Sequence, residues 1–134
     1  MIIVGKLEKF MAGPTLSTHD RVHVTINRGG LIRLNENCYR LLGKPPAVYL
    51  YYSTTDSVIA LEPVHAFRMP AAFPLKTTTS GWRIQAAPLC KHYGIRIDTT
   101  ERFINPEFSS DGQRLLLKLT ETVTVKQMRG RKKR

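Results

Sequence analysis

Apolar and polar residues alternate through Val22, Val24 and Ile26, and again through Ile32 and Leu34. That period of two marks half-buried strands. Between them Gly29-Gly30 supplies a tight turn, because a residue without Cβ takes positive φ without a clash. Asn35 then offers an N-cap, and Tyr39, Leu41 and Leu42 form a short apolar face before Gly43 ends the helix. Pro45-Pro46 forbids its continuation. Ala47 to Tyr52 and Ser57 to Leu61 read as the arms of a hairpin around Thr54, Thr55 and Asp56. A unit of about 45 residues in this form is too small to bury a core alone.

The same order returns further on. Leu75 to Thr79 reads as a short strand, Ser80-Gly81 takes the turn position, and Trp82, Arg83 and Ile84 match Ile32, Arg33 and Leu34 at a shift of 50. Ala86 to Tyr93 takes the helix position and Gly94 ends it. Gly81 and Gly94 follow Gly30 and Gly43 by 51, so one residue slips between strand and helix. Arg102 to Phe108 and Gln113 to Leu119 flank Asp111-Gly112, a strong hairpin signal that answers the turn at Thr54 to Asp56. Thr120 to Val125 alternates again and closes or extends a strand. The pattern predicts an internal duplication: a mainly β chain whose two repeats complete one pseudo-twofold β-barrel with two short helices.

The remaining segments frame these repeats. Residues 1–20 form an N-terminal arm in which Ile2, Ile3 and Val4 offer either an edge strand or a partly ordered end. Residues 21–64 are the first repeat. Residues 65–74, with Pro70 and Pro74 and no periodicity, read as an extended connector. Residues 75–125 are the second, degenerate repeat, with Pro88 inside its helix, which predicts a late start or a single turn, and Thr79 near the place of Arg28. Residues 126–134 hold no apolar side chain except Met128 and read as a solvated, disordered basic tail.

Charge sharpens this picture. The 134 residues carry 21 Lys and Arg against 10 Asp and Glu, a net +11 with a pI near 10.1. Such an excess favours an anionic partner, nucleic acid first. Six of the 21 bases lie in the last nine residues, so the folded part is only moderately basic. Cys38 and Cys90 lack metal-ligand spacing and fall on apolar helix faces, as small buried thiols do. No apolar run reaches the length of a membrane span, and Gly5, Lys6, Glu8 and Lys9 interrupt the apolar start. A reducing, cytoplasmic setting without membrane contact is the expectation.

The run Val24-Thr25-Ile26-Asn27-Arg28, then Leu31-Ile32-Arg33-Leu34, a helix ending Leu42-Gly43, a proline-containing loop and a strand ending Leu61-Glu62-Pro63 resembles the swapped-hairpin family of AbrB and MraZ. The likeness is good over Val22 to Pro63 and weak over Leu75 to Leu119. It implies a pseudo-dimer of interleaved hairpins within one chain, and DNA binding of the kind found in transcriptional regulators and antitoxins. The positions it implies at the DNA are Arg28, Arg33, Arg40 and Lys44 in the first half, and Arg83, Lys91 and Arg96 in the second. The Asp-x-x-x-Arg signature of a true MraZ is missing.

Independently of that likeness, Arg33 and Arg83 stand at matched places and can fork onto phosphate or guanine. Arg129, Arg131, Lys132, Lys133 and Arg134 can track a phosphate backbone. Tyr49, Tyr51 and Tyr52 read as core or rim of a central strand rather than as stacking platforms, and Trp82 as core. His19, His23, His65 and His92 show no H-x-x-x-H or H-E-x-x-H spacing, and no nucleophile elbow or phosphate-cradling Gly loop occurs. No enzyme activity and no cofactor are expected. The expected function is double-stranded DNA binding, DNA before RNA, in transcription regulation. The alternative is a protein-interaction subunit, antitoxin-like or scaffold, that engages a protein partner or a second copy by strand addition or through the tail.

Overall fold

The computed structural model describes residues 3–9, 21–66 and 69–125. Residues 3–9 carry no helix or strand, and Ile3 stands 89% exposed. The tail, with Arg129, Arg131, Lys132, Lys133 and Arg134, lies outside the described residues.

The first half contributes β1 (Val24–Ile26), β2 (Leu31–Leu34), α1 (Glu36–Leu41), β3 (Ala47–Ser53) and β4 (Val58–Val64). Val24, Ile26, Ile32 and Leu34 are buried and the residues between them are not, so the alternation in the sequence becomes two faces. Asn35 caps α1 by accepting from the Cys38 N–H at 3.1 Å. Its amide also donates to the Arg21 carbonyl at 2.7 Å, which ties the helix start to the segment that leads into β1.

The second half contributes β5 (Phe73–Pro74), β6 (Lys76–Thr78), β7 (Gly81–Gln85), α2 (Ala87–Tyr93), β8 (Glu101–Phe103), β9 (Glu107–Phe108), β10 (Leu115–Lys118) and β11 (Thr122–Thr124). Pro88 does not shorten α2. It sits in the first turn, where a missing N–H leaves no helical bond unmade. The connector is not wholly without structure, since Phe73 and Pro74 pair with Val48 and Ala47 at a sheet edge.

The strands form two antiparallel sheets, one of six in the order β11-β8-β1-β2-β7-β6 and one of five in the order β5-β3-β4-β10-β9. The chain is mainly β, but a closed barrel, expected from the sequence, is not formed. The hairpin of the second half is the reason. Its base, β8 with β11, pairs in the six-stranded sheet, and its tip, β9 with β10, pairs in the five-stranded one. Both arms therefore leave one sheet for the other, across Pro106 on one side and Thr120 on the other, and each sheet keeps open edges.

The apolar faces of both sheets share one core. Ile26, Ile32, Ile84 and Phe103 meet Val48, Ile59, Leu61, Leu115 and Leu117 within it. Cys38 and Cys90 are buried there as free thiols. Burial pushes the Cys38 thiol up to about 12 and raises that of Cys90, so neither is a ready nucleophile.

The joint between the halves is β2 against β7. Arg33 stands directly opposite Arg83, and Ile32 opposite Ile84. The two arginines thus mark the centre of this antiparallel strand pair, and each turn reaches the helix start of the other half. The Gly30 carbonyl accepts from the Ala86 N–H at 2.8 Å, and a Cβ on Gly30 would lie 2.8 Å from the Ala87 Cα. A Cβ on Gly81 would lie 2.2 Å from the Leu34 oxygen. Across the same joint the ring of Trp82 stacks on Tyr39 at 3.8 Å, and its Nε1–H donates to Glu36 Oε1 at 3.2 Å.

Candidate nucleic-acid interface

Alternation along each strand decides what the outer side of the six-stranded sheet displays. With Val24, Ile26, Ile32, Leu34, Ile84 and Phe103 turned to the core, the residues between them turn outward. The pairing register lines these up in one row across the strands: Val123, Arg102, Thr25, Arg33, Arg83 and Lys76, each the direct partner of the next. Adjacent strands lie about 4.8 Å apart, so the row from Arg102 to Lys76 spans roughly 19 Å.

The row holds four cations and no acid. Glu101 is the one carboxylate within the strands of this sheet, and it faces the other side, where it accepts from Thr122 and Thr124 at 3.0 and 2.9 Å. Burial alone would raise its pKa, but the hydrogen bonds from Thr124, Thr122 and Thr99 outweigh it and hold the carboxyl below its ordinary range. Among the described residues the ion pairs are Arg96–Asp98, Arg114–Glu62, Lys118–Glu107 and Lys118–Glu121. None involves Arg33, Arg83, Lys76 or Arg102.

Hydroxyl and amide groups flank the row. A groove of about 530 Å³ runs beside Arg33, lined by Thr25, Thr78, Ser80, Thr100 and His23 among others. Burial first, then the charges of Arg21 and Arg102, lower the His23 pKa below its ordinary value. Its imidazole is therefore neutral at pH 7, and arginine and lysine set the charge of the face. On the other flank a depression of about 350 Å³ is lined by Leu31, Pro74, Lys76, Arg83 and Gln85.

The other positions proposed from sequence are distributed unevenly. Arg28 is exposed in the turn between β1 and β2, where the Asn27 carboxamide oxygen fixes the loop by accepting from the N–H groups of Gly29 and Leu31. Beside that turn, Arg28, Lys91 and Arg96 line one depression of about 400 Å³. Arg96 is paired there with Asp98 at 3.0 Å. Arg40 is exposed on α1 and donates to Asn37 at 2.5 Å. Lys44 follows the helix in a left-handed conformation, φ 53°, exposed, with its backbone N–H on the Tyr39 carbonyl. Neither belongs to the row.

Lys76 and Arg102 were not singled out in the sequence. The signal for Lys76 was the short turn at Thr79-Ser80, which folds it back onto Arg83. For Arg102 it was the alternation with Phe103. Among the described residues, no aromatic side chain stands in the row. Tyr52 packs against Tyr93 with ring centroids 4.9 Å apart, and Tyr51, on the five-stranded sheet, lies under the Arg114 guanidinium at 4.4 Å.

Among the described residues, no helix is long and apolar enough to cross a membrane, and no three His, Cys, Asp or Glu side chains group as metal ligands. Compared with protein-family models, curated proteins and solved structures, the chain matches none.

Proposed function

We propose that the protein binds double-stranded DNA through the outward face of its six-stranded sheet, in the role of a transcription regulator. One observation carries the reading: Arg33 and Arg83 face each other directly across two strands, with Lys76 and Arg102 in the same row and no acid among them. Like charges placed opposite one another disfavour folding by a few tenths of a kcal/mol up to about 1. Their arrangement brings no internal ion pair in return, whereas a polyanion laid over the row would neutralise all four.

The dimensions favour a duplex. A B-form major groove is about 12 Å wide, so a row of roughly 19 Å reaches phosphates on both of its sides. Single-strand binders instead stack bases on aromatic rings. The outward positions of this sheet, among the described residues, carry none. The deep, narrow major groove of A-form RNA fits a broad sheet face less well. The resemblance to the swapped-hairpin family supports the same reading. Strand addition to a protein partner is less favoured, because the edge strands β5, β6, β9 and β11 are only two or three residues long.

Fluorescence anisotropy with an arbitrary duplex tests this. The logarithm of the association constant should fall linearly with the logarithm of salt concentration, with a slope at least as steep as about −3.6, the share of the four row contacts at 0.9 each. A single strand of the same length should bind more weakly at every salt concentration. A salt-independent affinity, or a preference for the single strand, would sink the proposal.

A further inference from the structure

The correspondence between the halves does not extend to every charge. The turn between β1 and β2 and the turn between β6 and β7 lie at opposite ends of the face, because β2 and β7 run antiparallel about the Arg33–Arg83 pair. At the first end, Arg28, Lys91 and Arg96 gather with a single acid, Asp98. At the second, a depression of about 570 Å³ is lined by Asn35, Glu36, Asn37 and the residues from Thr77 to Trp82; Glu36 is the one charged residue of the lining, and Arg40 stands beside it on Asn37. The shift of 51 that relates the helix N-caps makes Thr79 the counterpart of Arg28, Ala87 that of Glu36 and Lys91 that of Arg40, so the two ends differ at Arg28 and Glu36 while each helix keeps one cation.

On this basis we infer that the protein grips a duplex with one polarity. The phosphate backbone continues from the central row over the first turn onto Arg28 and Lys91, and leaves the face before the second turn. Arg96 is partly neutralised by Asp98, so Arg28 and Lys91 carry most of the added attraction. Glu36, held in place by the Trp82 indole N–H, repels a phosphate at the second end. The strand pair at the centre is symmetric and the grip is not. The protein therefore engages an asymmetric stretch of DNA in one orientation, rather than reading the two arms of an inverted repeat equally.

This inference rests on the DNA-binding reading, and the experiment separates the two. Two double variants are compared with the wild type on one arbitrary duplex of roughly 24 base pairs, from about 50 to 200 mM salt. Arg28→Ala with Lys91→Ala should reduce the salt slope by roughly 1.8, the share of two phosphate contacts. Arg40→Ala with Lys44→Ala, which removes two exposed bases from α1 and its end, should change the slope by less than about 0.5. Exposed substitutions of this kind should leave the fold intact, which circular dichroism of each variant checks. Equal losses from the two pairs, or no loss from the first while the wild type binds normally, would overturn the polarity and leave the sheet face as the binder. A wild type without salt-dependent affinity would overturn both.

Discussion

Replacing Arg33 and Arg83 together by alanine should weaken duplex binding roughly 100-fold, at about 1.4 kcal/mol for each lost charge-assisted contact. The salt slope should fall by roughly 1.8. Both side chains are exposed and face each other across β2 and β7, and neither takes part in an ion pair among the described residues. Their removal leaves no buried group unsatisfied and relieves a like-charge contact. Thermal stability should therefore hold or rise slightly while affinity collapses. That combination distinguishes a binding role from a structural one, since a structural arginine would lower both together. Unchanged affinity in the double variant would show that the face is not the reader.

The second large effect concerns the joint that makes the face. Gly81→Ala places a Cβ 2.2 Å from the Leu34 carbonyl oxygen, and the Gly81 φ of +155° is one that side-chain-bearing residues rarely adopt. The obstructing atom is backbone of the other half, which cannot swing aside as a side chain could. Overpacking and backbone strain each contribute about 1–3 kcal/mol, so a loss of about 3 kcal/mol or more is expected. For a chain of this size that lowers Tm by roughly 10 °C. Gly94→Ala is the comparison. Its φ of +67° is also left-handed, but a Cβ there meets nothing within 4 Å. It should lose only about 1–2 kcal/mol. Equal losses at the two sites, measured by thermal denaturation, would mean that contact between the halves is not what Gly81 secures.

Much of the fold was legible because alternation is a local signal. Val24, Ile26, Ile32 and Leu34 announced their strands, Asn35 announced a helix start, and Gly94 a helix end. The matched places of Arg33 and Arg83 were legible for the same reason. Their direct opposition was not, because it depends on which strands become neighbours. The same limit hid Arg102, which enters the row only because β8 pairs with β1, a partner some 77 positions earlier in the chain. It also hid the opening of the expected barrel into two sheets, since that follows from a hairpin whose base and tip pair in different sheets. Pro88 misled in the opposite sense: a proline in the first turn is compatible with the helix that follows it. Trp82 was expected in the core. It is half-buried, because its ring closes over Tyr39 at the joint instead of filling the space that Ile32 fills.

The most direct test of the central claim is a nuclear magnetic resonance titration of isotope-labelled protein with a short duplex. The largest shifts should fall on the amides of Thr25, Arg33, Arg83, Lys76 and Arg102 and on the side-chain Nε–H groups of the three arginines. Signals from Tyr51 and Arg114, on the five-stranded sheet, should stay in place. Shifts gathered around Tyr51 and Arg114, with the row of the six-stranded sheet unmoved, would contradict it.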